Sequence, residues 1–274
     1  MPAQDGATPR PLAVITGASS GIGLELTRQF AQHGFDVLVA SRSAPPAEVV
    51  RELEAQGAHV ESVQVDLKTR TGVEQLYARI QVLGRPVEAL ALNAGMGVGG
   101  DFARETELSG ELDLIALNVS SSVHLAKRVV RDMVRRGSGR VLFTSSIAAT
   151  VPAPLEAVYG ASKAFVSSFA SSLREELKGT GVSVTALLPG PTKTGIFERA
   201  GMGNTRVARG KKDDPADVAR QGFEALMAGK AKVIAASLGL KLAVTAGKLA
   251  PDGVKAKAHR YMAGQDPKAG GSKH

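Results

Sequence analysis

A tyrosine and a lysine lie four residues apart in the run Tyr159-Gly160-Ala161-Ser162-Lys163. If this segment is helical, both side chains project from one face of the helix, one turn apart. The pKa of a phenol is about 10, so a tyrosine is normally a poor proton donor or acceptor at neutral pH. A nearby ammonium favours the phenolate, and we expect Lys163 to lower the pKa of Tyr159 towards a range that suits acid–base catalysis. The alternative is a pair of side chains that only covers a helix surface.

Three glycines follow an apolar run at residues 12–16, in the segment Thr16-Gly17-Ala18-Ser19-Ser20-Gly21-Ile22-Gly23. Glycine has no Cβ, so it permits sharp turns and a close approach of the backbone to a ligand. A helix that begins in such a loop offers free N–H groups and the positive end of its dipole to a phosphate. The spacing therefore favours a phosphate-binding loop, although it differs from the Gly-x-Gly-x-x-Gly of the common dinucleotide fingerprint. A plain turn is the alternative.

Short apolar runs alternate along the chain with segments that have helical spacing of their apolar residues. The predicted strands are residues 12–16, 37–40, 60–65, 87–92, 141–144, 182–188 and 232–236, and the predicted helices are 21–33, 47–56, 72–83, 108–136 and 157–178. This alternation is typical of right-handed β-α-β units and of a parallel sheet with helices on both faces. It predicts an α/β fold with a doubly wound parallel sheet, a Rossmann fold, in a single domain over residues 12–236.

The remaining segments lie at the two ends of the chain. Residues 1–11 are polar and proline-rich, which predicts a flexible N-terminus, and residues 265–274 are predicted to be disordered. Residues 237–264 are predicted to form a basic amphipathic helical extension, with Leu238, Leu242, Thr245 and Leu249 on one helical face. This extension either packs over the pocket of the main domain or lies on an anionic membrane.

The formal charge of +8 is concentrated near the C-terminus. From residue 230 onwards there are nine Lys and Arg residues against two Asp, which leaves 25 basic and 24 acidic residues in the rest of the chain. A nearly neutral body with 4% aromatic residues disfavours a nucleic-acid-binding protein. The chain has no cysteine and its five histidines are scattered, so neither a disulfide nor a metal site is expected.

Residues 1–11 do not resemble the apolar core of a secretion signal. No stretch approaches the run of about 18 apolar residues that a membrane-spanning helix needs. We therefore expect a cytoplasmic protein, which is membrane-peripheral only if its basic extension binds lipid.

Six landmarks in this chain resemble the short-chain dehydrogenase/reductase family and occur in the family's order. They are the glycine loop at 16–23, Asn93-Ala94-Gly95, Asn118, Ser146, the Tyr159–Lys163 pair and Pro189-Gly190-Pro191-Thr192-Lys193-Thr194. Together they span residues 16–194, about two-thirds of the chain. The resemblance implies an oxidoreductase that transfers a hydride between a nicotinamide dinucleotide and a carbonyl or alcohol.

The resemblance implies a catalytic set of four residues. The family's active serine lies thirteen residues before its tyrosine, which selects Ser146 over its neighbour Ser145. Ser146 and Tyr159 would then donate hydrogen bonds to the substrate oxygen, where negative charge develops. Lys163 would bind the nicotinamide ribose, and Asn118 would hold a water that links Lys163 to solvent in a proton relay. A surface asparagine is the alternative for Asn118.

The same resemblance implies that the cofactor lies along the ends of the strands. Asp66 would contact the adenine ring, cap the following helix, or do both, and Thr194 would bind the nicotinamide carboxamide. Asn93 and Gly95 would let a ribose pass close to the fourth strand. The full predicted cofactor set is Thr16, Gly17, Ser19, Ser20, Gly21, Ile22, Gly23, Ser41, Arg42, Ser43, Asp66, Leu67, Asn93, Ala94, Gly95, Tyr159, Lys163, Pro189, Gly190, Thr192 and Thr194.

The choice between NADP and NAD depends on the end of the second strand. A carboxylate about 20 residues after the glycine loop would bind the ribose 2′-hydroxyl of NAD and repel a 2′-phosphate. This chain has Ser41-Arg42-Ser43 there, in which a guanidinium and two hydroxyls can bind the phosphate. We therefore expect NADP(H) rather than NAD(H). One departure is Ser20, which stands where NADP-using relatives often carry a second basic residue.

The substrate is expected to lie against three loops, at residues 96–100, 148–158 and 196–212. The glycines of 195–210 predict a mobile lid. The apolar residues of the three loops predict an apolar cavity: Met96, Val98, Val151, Leu155, Ile196, Phe197 and Met202. Five basic residues rim this lid: Arg199, Arg206, Arg209, Lys211 and Lys212. They either form a solvated surface or attract an acidic substrate such as an acyl-thioester carrier.

The predicted activity is the NADP-dependent reduction of an apolar ketone, aldehyde or 3-oxoacyl compound, or the reverse oxidation, with Tyr159 as general acid/base. A non-catalytic NADPH-binding redox sensor is the alternative, and such a protein would combine an intact glycine loop with a broken catalytic set. By resemblance, we also expect a homodimer or homotetramer, formed through the long helices after the fourth and fifth strands.

Overall fold

The structure is a computed structural model that describes residues 10–247 and 250–266. Within these residues, seven strands form one sheet: β1 (Leu12–Thr16), β2 (Asp36–Ser41), β3 (Val60–Gln64), β4 (Val87–Leu92), β5 (Gly139–Thr144), β6 (Val182–Pro189) and β7 (Lys232–Ala235). All neighbouring strands are parallel, in the order β3-β2-β1-β4-β5-β6-β7. The predicted doubly wound α/β fold is confirmed.

Helices cover both faces of this sheet. They are α1 (Gly21–Gln32), α2 (Ala47–Ala55), α3 (Arg70–Val82), α4 (Leu108–Ile115), α5 (Ser121–Arg136), α6 (Ala157–Glu176), α7 (Ile196–Arg199), α8 (Arg206–Arg209), α9 (Pro215–Met227), α10 (Leu238–Ala246) and α11 (Asp252–Ala263). None of the helices in the described part of the chain is both long and apolar enough to cross a membrane.

Successive residues of each strand pack into two different core layers. Leu12 and Val14 of β1 lie in the layer beneath α3, α5 and α6, whereas Ala13 and Ile15 lie in the layer beneath α1 and α9. This follows from the two-residue period of a strand, because both faces of the sheet are covered. All five residues of β1 are buried, which explains why the strand is apolar throughout rather than alternating.

The helix predicted over residues 108–136 is interrupted. Its middle, Ala116–Ser120, is one wide π-helical turn in which the Ser121 N–H donates to the carbonyl of Ala116. Asn118 lies inside this turn and bonds to a neighbouring loop through its side chain, which stabilises the wider turn. Single π turns within α-helices are often found at functional sites.

The sequence analysis missed α9, which lies between β6 and β7. Its start carries ordinary signals, because Asp214 caps the Ala216 N–H at 2.9 Å and Pro215 occupies the first helical position. The helix packs on α1 through the edge-to-face rings of Phe30 and Phe223, whose centroids are 5.1 Å apart.

Two predictions about the chain ends need correction. Arg10 and Pro11 belong to the fold, because the Arg10 guanidinium donates to the Ala31 carbonyl at 2.7 Å and the Pro11 carbonyl accepts from Asp36 at 2.9 Å. Gln265 pairs with Thr205 as an isolated antiparallel bridge, so it is not the start of a disordered tail. Residues 1–9, 248–249 and 267–274, which include the predicted face position Leu249, lie outside the described residues.

The strand order reverses between β1 and β4, whose connections run to opposite sides. In doubly wound sheets, ligands bind in the crevice that this reversal opens at the carboxyl ends of the strands. The glycine loop follows β1 and the segment Asn93-Ala94-Gly95 follows β4, so both border this crevice.

Candidate active site

One cavity of about 1180 Å³ lies at the carboxyl ends of the strands and holds most of the predicted site. Three predicted residues do not line it: Thr16, Gly23 and Asn118. The others do: Gly17, Ser19, Ser20, Gly21, Ile22, Ser41, Arg42, Ser43, Asp66, Leu67, Asn93, Ala94, Gly95, Ser146, Tyr159, Lys163, Pro189, Gly190, Thr192 and Thr194. The volume exceeds the usual range of single-ligand pockets, so a cofactor and a substrate can share it.

Thr16 and Asn93 connect the ends of three strands. The Thr16 hydroxyl accepts from the N–H groups of Asn93 and Ala94 at 3.0 Å each, and the Asn93 amide donates to the Thr16 carbonyl at 3.2 Å. The Thr144 hydroxyl at the end of β5 donates to the Asn93 side-chain oxygen at 3.1 Å. These side chains therefore fix the floor of the crevice.

The glycine loop has the backbone that its sequence requires. Gly17 and Gly21 have φ values of +69° and +56°, where other residues are strained. A Cβ on Gly23 would lie 2.1 Å from the Gly17 carbonyl, so the loop closes tightly onto the start of α1. Ser20 precedes α1 in an extended conformation and its side chain makes no cap hydrogen bond. The first N–H groups of α1 can therefore bind an anion in the cavity.

The end of β2 presents a cation to the cavity. Arg42 lines the cavity, is exposed, and makes no ion pair with any residue in the described ranges. The Ser41 hydroxyl donates to the Ser43 carbonyl at 2.6 Å, which fixes the turn that carries Arg42.

Asp66 at the end of β3 supports the turn that leads to α3. Its carboxylate accepts from the Lys68 N–H at 3.0 Å, and its carbonyl accepts from the hydroxyl of Thr69, the cap residue of α3. Thr69 rather than Asp66 therefore caps α3, and Asp66 holds the preceding turn while lining the cavity.

Adjacent serines after β5 point to different partners. The Ser145 hydroxyl is buried and donates to the Lys163 carbonyl at 2.7 Å. Ser146 lines the cavity with Tyr159, its hydroxyl accepts from the Ala148 N–H at 3.1 Å, and its side chain acts to lower the pKa of Tyr159. The structure thus brings Ser146 and Tyr159 together and uses Ser145 to attach β5 to α6.

The pKa of Tyr159 is not lowered as the sequence analysis expected. Burial raises it to about 12, the hydrogen bond from Ser146 opposes this shift, and the charge of Glu156 adds to it. The Lys163 ammonium lies 5.8 Å from the centre of the Tyr159 ring and donates to the Thr144 carbonyl at 3.1 Å. Burial lowers the pKa of Lys163 to about 8. Desolvation therefore dominates both groups, and Tyr159 is a neutral phenol at pH 7.

Asn118 is buried behind the cavity, with both amide hydrogens engaged. Its Nδ2 donates to the Met96 carbonyl at 2.9 Å and to the Ser162 hydroxyl at 3.0 Å, while its Oδ1 accepts from the Met96 N–H at 2.9 Å. A Cβ on Gly95 would lie 3.1 Å from the Lys163 ammonium and 3.2 Å from the Asn118 Oδ1. A glycine at this position therefore lets Asn118 and Lys163 approach each other.

The far half of the cavity is apolar, as the loops predicted. Five of the seven predicted apolar residues line it: Met96, Val151, Ile196, Phe197 and Met202. Val98 does not, and Leu155 instead packs in a cluster with Ala200, Met202 and Ala263.

The outer wall of this half was not predicted residue by residue. It comes from α10 and α11: Leu240, Val244, Val254, Lys255, Ala258, His259, Met262 and Ala263. Of the two alternatives for the extension, this geometry supports packing over the pocket. No local signal could have assigned these residues, because their contacts with the body are distant in sequence.

The predicted basic rim serves mainly to hold this wall. Arg206 donates to the Tyr261 carbonyl at 2.9 Å and stacks on the Tyr261 ring, with 4.3 Å from its guanidinium carbon to the ring centre. Arg209 lies 3.7 Å from the carboxylate of Asp266. These two arginines therefore contact the tail, although Arg209 is still exposed to solvent, whereas Arg199 lines the cavity.

The model of the family described as short chain dehydrogenase matches residues 11–204. The chain belongs to this family. Among its relatives, the NADP-dependent 3-hydroxy acid dehydrogenase YdfG of Salmonella typhi is 30% identical over 179 residues, which are 65% of this chain and 71% of the relative. Alignments to the curated relatives span from 60% to 73% of their own length.

Solved structures of other short-chain dehydrogenases have the same fold. One from Sphingobium yanoikuyae, in complex with NADPH, has a TM-score of 0.77 at 29% identity and covers 86% of this chain and 92% of its own. Another from Burkholderia phymatum, in complex with NAD, has a TM-score of 0.77 at 25% identity and covers 86% and 92%. In this short-chain dehydrogenase the family match ends at residue 204, before α10 and α11.

Proposed function

We propose that this short-chain dehydrogenase transfers a hydride between NADP(H) and the carbonyl or alcohol carbon of an apolar small molecule. The observation that carries the proposal is one cavity lined by the uncapped start of α1, by Ser146 and Tyr159, and by an apolar wall. An anion-binding helix start and a proton donor are the two parts that such a reaction requires.

The residues at the strand ends fit a dinucleotide. The start of α1, with Gly17, Ser19 and Gly21, would bind the pyrophosphate, and Asp66 and Leu67 would border the adenine. Thr194 would bind the nicotinamide carboxamide, and Lys163 the ribose beside it. When bound, NADPH would supply the hydride that reduces the carbonyl carbon.

Arg42 supports NADP over NAD. An exposed guanidinium without an ion pair among the described residues, held on a turn that lines the cavity, suits a 2′-phosphate. A carboxylate there would instead bind the 2′-hydroxyl of NAD. The NADP-dependent relative and the NADPH complex agree with this assignment, while the NAD complex shows that the fold accommodates either cofactor.

Tyr159 and Ser146 would act on the substrate oxygen. Negative charge develops on this oxygen during reduction, and two hydroxyl donors stabilise it. Tyr159 then gives its proton to the oxygen, which in an alkoxide is a much stronger base than a phenolate. A Tyr159 pKa of about 12 keeps the proton in place at neutral pH, so the site suits reduction better than oxidation.

Lys163 and Asn118 would return the proton to Tyr159. Lys163 titrates near pH 8, so it exchanges protons readily in the neutral range. Because both Asn118 amide hydrogens are engaged, a relay water beside it would bond to an oxygen of Asn118 rather than to its nitrogen. Gly95 leaves the space where the side chains of Lys163 and Asn118 meet.

Nothing favours the alternative of a non-catalytic redox sensor. That protein would keep its glycine loop and lose its catalytic set, whereas Ser146, Tyr159 and Lys163 all line the cavity here and Asn118 lies against Gly95. We further propose that the predicted units, residues 12–236 and 237–264, form one functional body, because the extension completes the pocket.

A homodimer or homotetramer is also proposed. Three apolar residues of α4, at positions i, i+4 and i+7, are exposed: Leu108, Leu112 and Ile115. Phe165 of the neighbouring α6 is exposed too. An apolar stripe of this kind is typical of a surface covered by a partner. Membrane contact is not proposed, since the cavity faces of α10 and α11 point into the protein.

A screen of carbonyl compounds tests the proposed function. Purified protein would be mixed with NADPH and matched pairs of aldehydes, ketones and 3-oxoacyl thioesters that differ only in apolar bulk, and NADPH consumption would be followed. We expect turnover that increases with apolar bulk. The Tyr159→Phe variant should lose about 10²- to 10⁴-fold in kcat while its Kd for NADPH stays unchanged. Comparable turnover by this variant would refute the role of Tyr159.

A further inference from the structure

The lid segment and the last helix form one unit, here called the lid–tail unit, which consists of residues 196–209 and 252–266. Arg206 contacts Tyr261 through a hydrogen bond and through its ring. The Asp266 N–H donates to the Asn204 carbonyl at 2.9 Å, and Thr205 pairs with Gln265. These contacts join two stretches that are distant in sequence, so α11 and the lid would move together.

A polar contact joins this unit to the catalytic helix α6. The Nε2 of His259 on α11 lies 3.1 Å from the Oε2 of Glu156, which immediately precedes α6. The side chains are only 15% and 10% exposed, and both line the cavity. A buried carboxylate requires a hydrogen-bond partner, and here His259 provides one.

The position of Glu156 gives this contact a consequence for the chemistry. Glu156 lies three residues before Tyr159, and its negative charge raises the pKa of that phenol. Leu155 has a φ of +69°, a strained conformation for a residue with a side chain, and strained residues of this kind concentrate at functional sites.

We propose that His259 is a positioning residue of the reaction, which couples closure of the lid–tail unit over the substrate to proton transfer at Tyr159 by donating a hydrogen bond to Glu156. This inference rests on the proposed function. It concerns Glu156 and His259, which lie outside the catalytic set that the sequence predicted.

The coupling follows from charge. When His259 donates to Glu156, part of the carboxylate charge is neutralised and ionisation of Tyr159 is penalised less. When α11 lies away from the pocket, the full negative charge of Glu156 acts on Tyr159, and the phenol keeps its proton. Proton transfer would therefore become easier only when the pocket is closed over a substrate.

Other charged groups around the pocket do not replace His259. Lys255 faces the cavity one turn earlier on α11, but its ammonium lies 3.2 Å from the carboxylate of Asp252. Lys163 projects from α6 and donates to the Thr144 carbonyl, and Arg199 lines the cavity from the lid.

The test measures kcat/KM for alcohol oxidation with NADP⁺ as a function of pH, because the rising limb of this profile reports ionisation of the general base. Glu156→Gln should move the limb to lower pH by roughly half to one unit, and His259→Phe should move it to higher pH by a similar amount. His259→Gln, which keeps a donor, should restore part of the wild-type profile.

The double variant Glu156→Gln/His259→Phe should match Glu156→Gln alone. Lys257→Gln, on the exposed side of α11, is the matched control and should leave the profile unchanged.

A second readout needs no turnover. The chain has three tyrosines and no tryptophan, so tyrosinate absorbance is simple to follow, and subtraction of the Tyr159→Phe variant isolates Tyr159. The His259→Phe variant should ionise Tyr159 at higher pH than the wild type, and Glu156→Gln at lower pH. If His259→Phe raises KM but shifts neither readout, His259 only holds the tail and the inference is overturned. If the wild type turns over no substrate while the absorbance shifts appear, the proposed function fails and the coupling stands.

Discussion

The two halves of the cavity are built differently. The cofactor half consists of strand ends and glycine turns, whose main-chain conformation follows local sequence signals and whose strand ends are joined by Thr16 and Asn93. Its loop at 16–23 closes on itself, as the contact of Gly23 with the Gly17 carbonyl shows. The substrate half is formed by the loops after β4 and β5, by α10 and by the lid–tail unit, in which side-chain contacts join residues distant in sequence, such as Arg206 and Tyr261. Main-chain geometry dominates the first half, and side-chain packing dominates the second.

The family match covers the cofactor half and ends within the lid. Residues 11–204 contain β1 to β6 and the glycine loop that borders the cofactor half. The wall that α10 and α11 contribute lies beyond this match and borders the apolar half of the cavity. Variants should therefore produce large, cofactor-specific effects in the first half and smaller, substrate-specific effects in the second.

Gly23→Ala should produce the largest effect. Its Cβ would lie 2.1 Å from the Gly17 carbonyl, and backbone on both sides prevents an easy shift. We expect NADPH affinity to fall by more than about 100-fold, or soluble protein to be lost, because such overpacking costs about 1–3 kcal/mol or more. Gly239→Ala in α10 is the control, since no atom lies within 4 Å of the added Cβ. Equal NADPH affinity for the two variants would contradict the distinction between the halves.

Arg42→Ala should produce the next largest effect, and only on one cofactor. Loss of a charged hydrogen bond to the 2′-phosphate costs about 1.5–3 kcal/mol, so the Kd for NADPH should rise roughly 10- to 100-fold while the Kd for NADH stays constant. Arg51→Ala, an exposed arginine on α2, is the matched control. Titration of each variant with both cofactors measures the effect, and an equal loss for NADH would show that Arg42 does not read the phosphate.

Much of the cofactor half was predictable because its signals are local. The alternation of apolar runs predicted all seven strands, and the glycine spacing predicted the loop that follows β1. Burial, in contrast, depends on the assembled fold. The sequence placed Lys163 near Tyr159 and so predicted a lowered pKa for the phenol, but desolvation raises it to about 12. The interrupted helix at Asn118 is also a tertiary effect, since it depends on contacts with Met96.

The substrate half was predicted only in outline. The apolar loops predicted an apolar cavity, and residues 237–264 were predicted to be a helical extension. The partner of each side chain was not, because no spacing relates Glu156 to His259, which are 103 residues apart. The helix α9 was not predicted, although Asp214 and Pro215 are local signals that mark its start.

Lys163→Met should separate stability from activity within the cofactor half. Burial lowers the pKa of Lys163 from 10.5 to about 8, so between these values the unfolded chain binds more protons than the folded one and wild-type stability rises with pH. Relative to Lys163→Met, the wild type should gain about 2–3 kcal/mol in the free energy of unfolding between pH 7.5 and about 10. At pH 7 the variant should be the more stable protein, although inactive.

Urea unfolding at several pH values measures this difference. The measurement should stop near pH 10, because the raised pKa of Tyr159 means that the folded state retains a proton above this point, which lowers wild-type stability as pH rises further. A wild-type stability that runs parallel to that of Lys163→Met over the whole range would show that Lys163 is not desolvated as the structure indicates.

Arg206→Met should have the smallest effect, confined to the substrate half. The variant keeps an apolar stem against the Tyr261 ring but loses both the hydrogen bond to the Tyr261 carbonyl and the cation–π contact. These two interactions contribute about 1–2 kcal/mol to holding α11 on the lid, so KM should rise roughly 3- to 10-fold. The Kd for NADPH should not change, because Arg206 lies outside the cavity lining.

Arg220→Met on the outer face of α9 is the control, where ion pairs with Asp217 and Glu224 are lost without any contact to α11. A fall in NADPH affinity for Arg206→Met would mean that the lid–tail unit supports the cofactor as well, and that the two halves are not independent.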